Sequence, residues 1–133
     1  MKKIADTGLL KAALDRNDEF HKWGAREFQA HAPFITCEAV LVELSFFLSP
    51  AAAMLLLQRG DVTLDFNLGE ETEQVLDLLE RYKDRPMDLA DACLVRMTEL
   101  HPQSKVWTVD REDFAIYRRN RRQPVPHNAP PKT

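Results

Sequence analysis

The chain has 133 residues, of which 44% are hydrophobic and 29% charged, which suits one compact core and is too short for two ordinary domains. A net charge of −3 argues against a general nucleic-acid coat protein, although a net figure says nothing about how the charge is distributed. The longest apolar run, residues 51–57, falls far short of the roughly 20 residues that cross a bilayer, and the opening Met-Lys-Lys-Ile-Ala-Asp meets an acid before a signal-like region develops. The expectation is a soluble, unexported, cytoplasmic protein with no membrane partner.

Residues 2–5 read as a short strand that ends at Asp6, and Leu9, Leu10, Ala13 and Leu14 recur at helical spacing behind Thr7-Gly8. Phe20, Trp23, Gly24 and Phe28 supply the apolar face of a second helix up to about Ala30. A minimal strand at Pro33-Phe34-Ile35 is closed by Thr36, whose hydroxyl suits an N-cap for the helix that follows to about Leu48, with Val40, Leu44, Phe47 and Leu48 inward. Ser49-Pro50 starts another helix over 51–58, and Gly60-Asp61 turns the chain into an alternating strand at 62–66.

The helix over 69–82 carries Val75, Leu76, Leu78 and Leu79 on its inner side. Arg85-Pro86 breaks the pattern, and a further helix runs from Asp88, its N-cap, to about Leu100. Residues 105–109 are the clearest strand and end at Asp110. Beyond Tyr117 come Arg118, Arg119, Arg121 and Arg122, and then Pro124, Pro126, Pro130 and Pro131. The predicted organisation is a single domain over 1–123 and a proline-rich disordered tail over 124–133. Cys37 and Cys93 lie among apolar residues without zinc-ligand spacing and read as buried reduced thiols.

Strands separated by helices imply a parallel sheet covered on both faces, and ligands of such sheets sit at the carboxyl ends of the strands beside a topological switch. Asp6 and Asp110 both end strands. Glu43 lies on or beside an apolar helical stripe, where an ionised carboxylate is costly unless paired, and Asp91 sits among small and apolar neighbours at a helix start. Acids gathered on one rim repel and need neutralisation; oxygen ligands without a His or Cys set favour a hard divalent ion, Mg²⁺ or Mn²⁺. Such an ion suits phosphodiester cleavage by a metal-bound water.

The segments Ile4-Ala5-Asp6-Thr7-Gly8-Leu9-Leu10, Ile35-Thr36-Cys37-Glu38-Ala39-Val40-Leu41-Val42-Glu43, Leu89-Ala90-Asp91-Ala92 and Val106-Trp107-Thr108-Val109-Asp110-Arg111-Glu112-Asp113-Phe114 resemble, in order, the successive signatures of PIN-domain ribonucleases. The small stand-alone members of that family include the VapC-type toxins of toxin–antitoxin pairs. The resemblance implies an α/β fold, a PIN-like three-layer α/β/α sandwich with a central, mainly parallel sheet, and an acidic pocket for Mg²⁺ or Mn²⁺. Asp6, Glu43 and Asp91 match its three acidic positions and Asp110 the fourth, as catalytic and metal-holding residues. Asp113 is a further acid, Thr108 matches a hydroxyl lining the pocket, and Glu38 is explained by its place in a first helical turn.

The implied partners are an RNA substrate and an antitoxin protein, with homodimerisation through the helices around residues 51–57 by analogy. Arg118, Arg119, Arg121 and Arg122 are candidate contacts for RNA phosphates. A different class of reading keeps the fold as a catalytically silent module that binds RNA or a protein. An aspartic-protease loop at Asp6-Thr7-Gly8 conflicts with the helical content, and a phosphoacceptor receiver domain would need an acid pair and a lysine that the sequence does not supply.

Overall fold

The structure is a computed structural model and describes residues 1–85 and 87–132; the proline of the expected Arg85-Pro86 break and the final residue of the expected tail lie outside the described residues. Strand β1 (Lys2–Ala5) leads into α1 (Thr7–Leu14), capped by the Asp6 carboxylate, and then α2 (His21–His31). Gly24 lets these two helices close on each other, because a Cβ there would collide with the backbone and methyl of Ala12. Strand β2 (Phe34–Thr36), α3 (Glu38–Phe47), α4 (Pro50–Arg59) and β3 (Val62–Leu64) follow. Ser49 caps α4 by accepting from the Ala52 amide at 3.0 Å, and Gly60 ends it at φ 78°, in the left-handed region that glycine tolerates.

A 3-10 turn at Leu68–Glu70 precedes α5 (Thr72–Arg81) and α6 (Leu89–Leu100), the latter capped by Asp88 through the Asp91 amide at 2.8 Å. Strand β4 (Ser104–Trp107) is followed by α7 (Arg111–Ile116), a hairpin of β5 (Arg118–Arg119) and β6 (Gln123–Pro124), and β7 (His127–Asn128). Five strands pair in the order β3-β2-β1-β4-β7, all parallel. The chain winds outward from β1 through β2 to β3, then returns to place β4 on the other side of β1. The switch point therefore lies between β1 and β4.

The core gathers Ile4 and Val106 from the central strands, Leu9 and Leu10 from α1, Leu44 from α3, Leu94 and Met97 from α6 and Phe114 from α7, all fully buried. Burial at about 1.5–3 kcal/mol per large side chain makes this the main source of stability. Cys37 and Cys93 are both buried and free. Among the described residues no helix is long and apolar enough to cross a membrane.

Several expectations are corrected. The tail expected to be disordered is ordered over its described residues, 124–132: Val125 is buried, and β7 adds a parallel strand beside β4 with Val106 opposite His127. Its prolines are compatible with this because the strand contributes carbonyls. Pro126 O accepts from the Val106 amide at 2.9 Å and Asn128 O from the Thr108 amide at 3.0 Å, so the missing proline N–H groups fall on an edge. Thr36 does not cap α3; its hydroxyl donates to Ala5 O at 2.7 Å, tying β2 to β1, and Cys37 holds the cap position without a side-chain bond. Phe47 and Leu76 point outward, 60% exposed each, while Leu41 joins Val40 and Leu44 inside.

Strand β4 ends at Trp107 rather than at Val109, because the Thr108 hydroxyl accepts from the Asp110 amide at 2.9 Å and turns the chain. That turn leads directly into α7, a helix that the sequence pattern did not suggest.

Candidate active site

Ala5 stands opposite Trp107 in the β1–β4 register, so the residues that follow, Asp6 and Thr108, leave the sheet side by side at its carboxyl edge. The Thr108 hydroxyl donates to Asp6 Oδ2 at 2.6 Å, and the Thr7 amide donates to Asp6 Oδ1 at 2.7 Å. Thr7 also turns its hydroxyl to Glu43 Oε1 at 2.6 Å, which joins α3 to the start of α1. Asp91 sits in the first turn of α6 and accepts from the Tyr117 phenol at 2.8 Å. Asp110 caps α7 through the Asp113 amide at 3.1 Å. Every one of these carboxylates occupies a helix start or faces one, where the exposed amides favour negative charge.

The electrostatics show how closely the acids crowd. Burial, opposed by the Thr108 and Thr7 bonds and reinforced by the charges of Glu43 and Asp110, holds Asp6 up at about 6. Burial and then the Asp6 charge push Asp91 to about 8, against the Tyr117 bond. Asp110 is raised to about 6 by burial and by its hydrogen bond with Asp113. Asp113 moves the opposite way, lowered by that shared bond and by Arg85. Arg85 reaches Asp113 Oδ1 at 2.9 Å through Nε and at 2.5 Å through Nη2.

Among the described residues no lysine or arginine nitrogen pairs with Asp6, Glu43, Asp91 or Asp110. Asp91, Asp110 and Asp113 each bring an oxygen to within 4.8 Å of the others, a spacing one cation could bridge. The donor set is oxygen throughout, which suits a hard divalent ion. Asp6 and Glu43, predicted to share the site, fall outside that spacing: they are joined to each other through Thr7, and Asp6 is close enough for its charge to act on Asp91.

The arginine run is not brought to the acids. Arg118 Nη1 donates to the carbonyls of Ala115, Ile116 and Tyr117 and closes the end of α7. Arg119 Nη1 donates to Thr98 O at 2.9 Å and Pro102 O at 3.1 Å, at the far end of α6 from Asp91, about 10 Å along a helix that rises 1.5 Å per residue. Arg121 pairs with Asp77 at 3.3 Å, and Arg122 is exposed. Sequence reasoning missed Thr7, Tyr117 and Arg85 as site residues. Thr7 had a signal, a hydroxyl directly behind the strand-ending acid; the other two are joined to their acids only by tertiary packing.

This arrangement defines a class of fold, a PIN-like parallel α/β sheet with an acidic rim at its switch point. In the crystal structure of Mycobacterium tuberculosis VapC20, described as a sarcin-ricin loop cleaving toxin, the same fold recurs with a TM-score of 0.70 at 18% identity over 84% of this chain and 92% of that one. No protein-family model and no curated protein matches the sequence.

Proposed function

We propose that the chain is a Mg²⁺- or Mn²⁺-dependent endoribonuclease of the VapC-like PIN type, the cytoplasmic toxin of a toxin–antitoxin pair. The observation that carries this reading is a set of crowded carboxylates without a cation partner, three of them held as high as about 6 to 8, at the strand ends where parallel sheets bind ligands. A fold shared with an RNA-cleaving toxin agrees with it.

Asp6, Asp91 and Asp110 would hold the ion, directly or through water, with Glu43 completing the set. When bound, such an ion lowers the pKa of a coordinated water and offsets charge on the phosphate. The chain's own residues do the positioning. Thr108 and the Thr7 amide fix both oxygens of Asp6, Thr7 sets the distance between Asp6 and Glu43, and Tyr117 orients Asp91. Asp113 is held ionised by its hydrogen bond with Asp110 and by Arg85, whose guanidinium fixes it beside that acid.

Purified protein with single-stranded RNA provides the test. Cleavage that requires Mn²⁺ or Mg²⁺, stops with EDTA and is lost in Asp6→Asn and Asp91→Asn supports the assignment; cleavage indifferent to these changes defeats it.

One observation favours an additional partner. Val42, Phe46 and Phe47 on α3 and Met54 and Leu55 on the adjoining α4 are exposed, Phe46 by 83%, which leaves large apolar side chains of these two helices in water. We assign this face to a second copy of the chain, so that Phe46→Glu should convert a dimer into a monomer in sedimentation. If cleavage fails the test above while this dimer persists, the silent binding module is the better reading.

A further inference from the structure

Beside the acidic rim lies an open groove of about 910 Å³, walled on one side by the α1–α2 connection and on the other by the C-terminal segment. Its size is at the top of the range for ligand clefts, about 300–1,000 Å³. It adjoins the rim because Val109 and Arg111, the residues on either side of Asp110, both line it. The C-terminal wall is fixed: the Arg111 guanidinium donates to the Pro130 carbonyl, and Pro130 is buried.

The groove's charge opposes that of the chain. Arg16, Lys22, Arg111 and Lys132 line it, against Asp18 and Glu19. Asp18 is already matched by Lys11 at 2.6 Å, which leaves Glu19 as the acid facing several cations. In a protein of net charge −3 this is a local reversal of sign. Phe20, half-buried against the core, lines the same wall beside those cations. Cations interleaved with an aromatic ring suit a strand whose phosphates alternate with stackable bases.

We propose that this groove is the channel for the single-stranded RNA flanking the scissile phosphate, with Arg16, Lys22 and Lys132 contacting backbone phosphates and Phe20 stacking a base. The proposal rests on the nuclease reading for its substrate class. It places RNA contacts at the α1–α2 corner and the C-terminal segment rather than at the arginine run, and it gives the proline-rich segment a role as a channel wall.

The test measures binding of a labelled single-stranded oligoribonucleotide by fluorescence anisotropy in EDTA, across a salt series, with cleavage in Mn²⁺ followed separately. Arg16→Glu combined with Lys22→Glu should weaken binding by more than about tenfold and flatten the dependence of log affinity on log salt by about 0.7 for each phosphate no longer neutralised. Arg59→Glu combined with Lys83→Glu changes net charge equally from exposed positions outside the groove and should leave both quantities near wild type. Thermal melting of both double variants checks that they fold.

Unchanged binding in the groove variant, or equal loss in the control variant, overturns the channel even if cleavage is intact. Absence of cleavage with groove-dependent binding preserved overturns the nuclease reading and leaves the RNA site standing. Poly-glutamate that binds as tightly and responds identically to the groove variant overturns the RNA assignment in favour of an acidic peptide.

Discussion

Tyr117 donates its phenolic hydrogen to Asp91 Oδ2 at 2.8 Å, so the residue that closes α7 steadies the acid at the start of α6. The ring is held edge-on by Phe114 and Tyr82 at centroid distances of 5.4 and 5.3 Å, and the hydroxyl therefore has little freedom to leave. A bond to the ionised carboxylate favours that form, while burial has already raised Asp91 to about 8. Tyr117→Phe keeps the packing and removes the bond, so the Asp91 pKa rises further. On the proposed nuclease reading, the acid-side limb of the pH–rate profile in Mn²⁺ should move to higher pH, and activity at neutral pH should fall by about 10–100-fold, the usual cost of losing a residue that orients a metal ligand. An unmoved limb would show that Tyr117 is only a packing residue.

The same acids make a prediction about stability. Asp6, Asp91 and Asp110 have folded-state pKa values of about 6, 8 and 6, above the ordinary 3.8, so between those limits the folded chain binds more protons than the unfolded one. Their stabilising contribution is complete below the unfolded value and is lost as pH rises through the folded values. Asp18 and Asp113 are shifted downward, so their contribution changes only at pH values below that window. The melting temperature of the cation-free protein should therefore fall from about pH 5 to pH 8.5, and Mn²⁺ should restore more of it at the alkaline end. A melting temperature that rises across this range, or a cation effect equal at both ends, contradicts the crowding of these groups.

How much of this was legible in the sequence depends on whether a feature is local. Asp6 and Asp110 could be placed on one rim because each follows a strand, and a parallel sheet brings strand ends together. Asp88 was readable as a cap from its position before an apolar run, and the bond to the Asp91 amide agrees. Arg85 and Tyr117 were not readable, since their partners lie 28 and 26 residues away and no periodicity encodes such a pairing. The tail misled for a definite reason. Proline density signals disorder when a strand must donate amides, whereas β7 is an edge strand whose neighbouring residues mainly accept. The partners of the arginine run were not readable either: carbonyls at the ends of α6 and α7 accept from Arg119 and Arg118, while Arg122 stays exposed.

Gly8 offers a test of how tightly the rim is built. A Cβ at this position would collide with the Val109 side chain, so α1 approaches the turn after β4 as closely as it does only because residue 8 is glycine. Gly8→Ala should cost about 1–3 kcal/mol through overpacking, and it should widen the Asp6–Thr108 contact enough to reduce cleavage further than the stability loss alone. Val109→Ala in the same chain relieves the collision and should recover most of both. Failure of that rescue would mean that the glycine serves another purpose.

Glu27 ties the last strand to its neighbour through two hydrogen bonds. Its Oε1 accepts from Trp107 Nε1 at 3.0 Å and from Asn128 Nδ2 at 2.7 Å, so one half-buried carboxylate on α2 holds both β4 and β7. Glu27→Leu keeps apolar bulk but leaves both donors without an acceptor, at about 1–3 kcal/mol for a buried polar group left unmade. The loss should fall unevenly, because β7 has two residues and an open edge while β4 is paired on both sides. Hydrogen exchange at the Thr108 amide, which donates to Asn128 O, should accelerate well before exchange at Lys3 or Ile4 on the central strand, and a protease should cut within residues 124–131. Uniform acceleration across the sheet would instead mean that β7 and the core unfold as one unit, with Glu27 contributing to both alike.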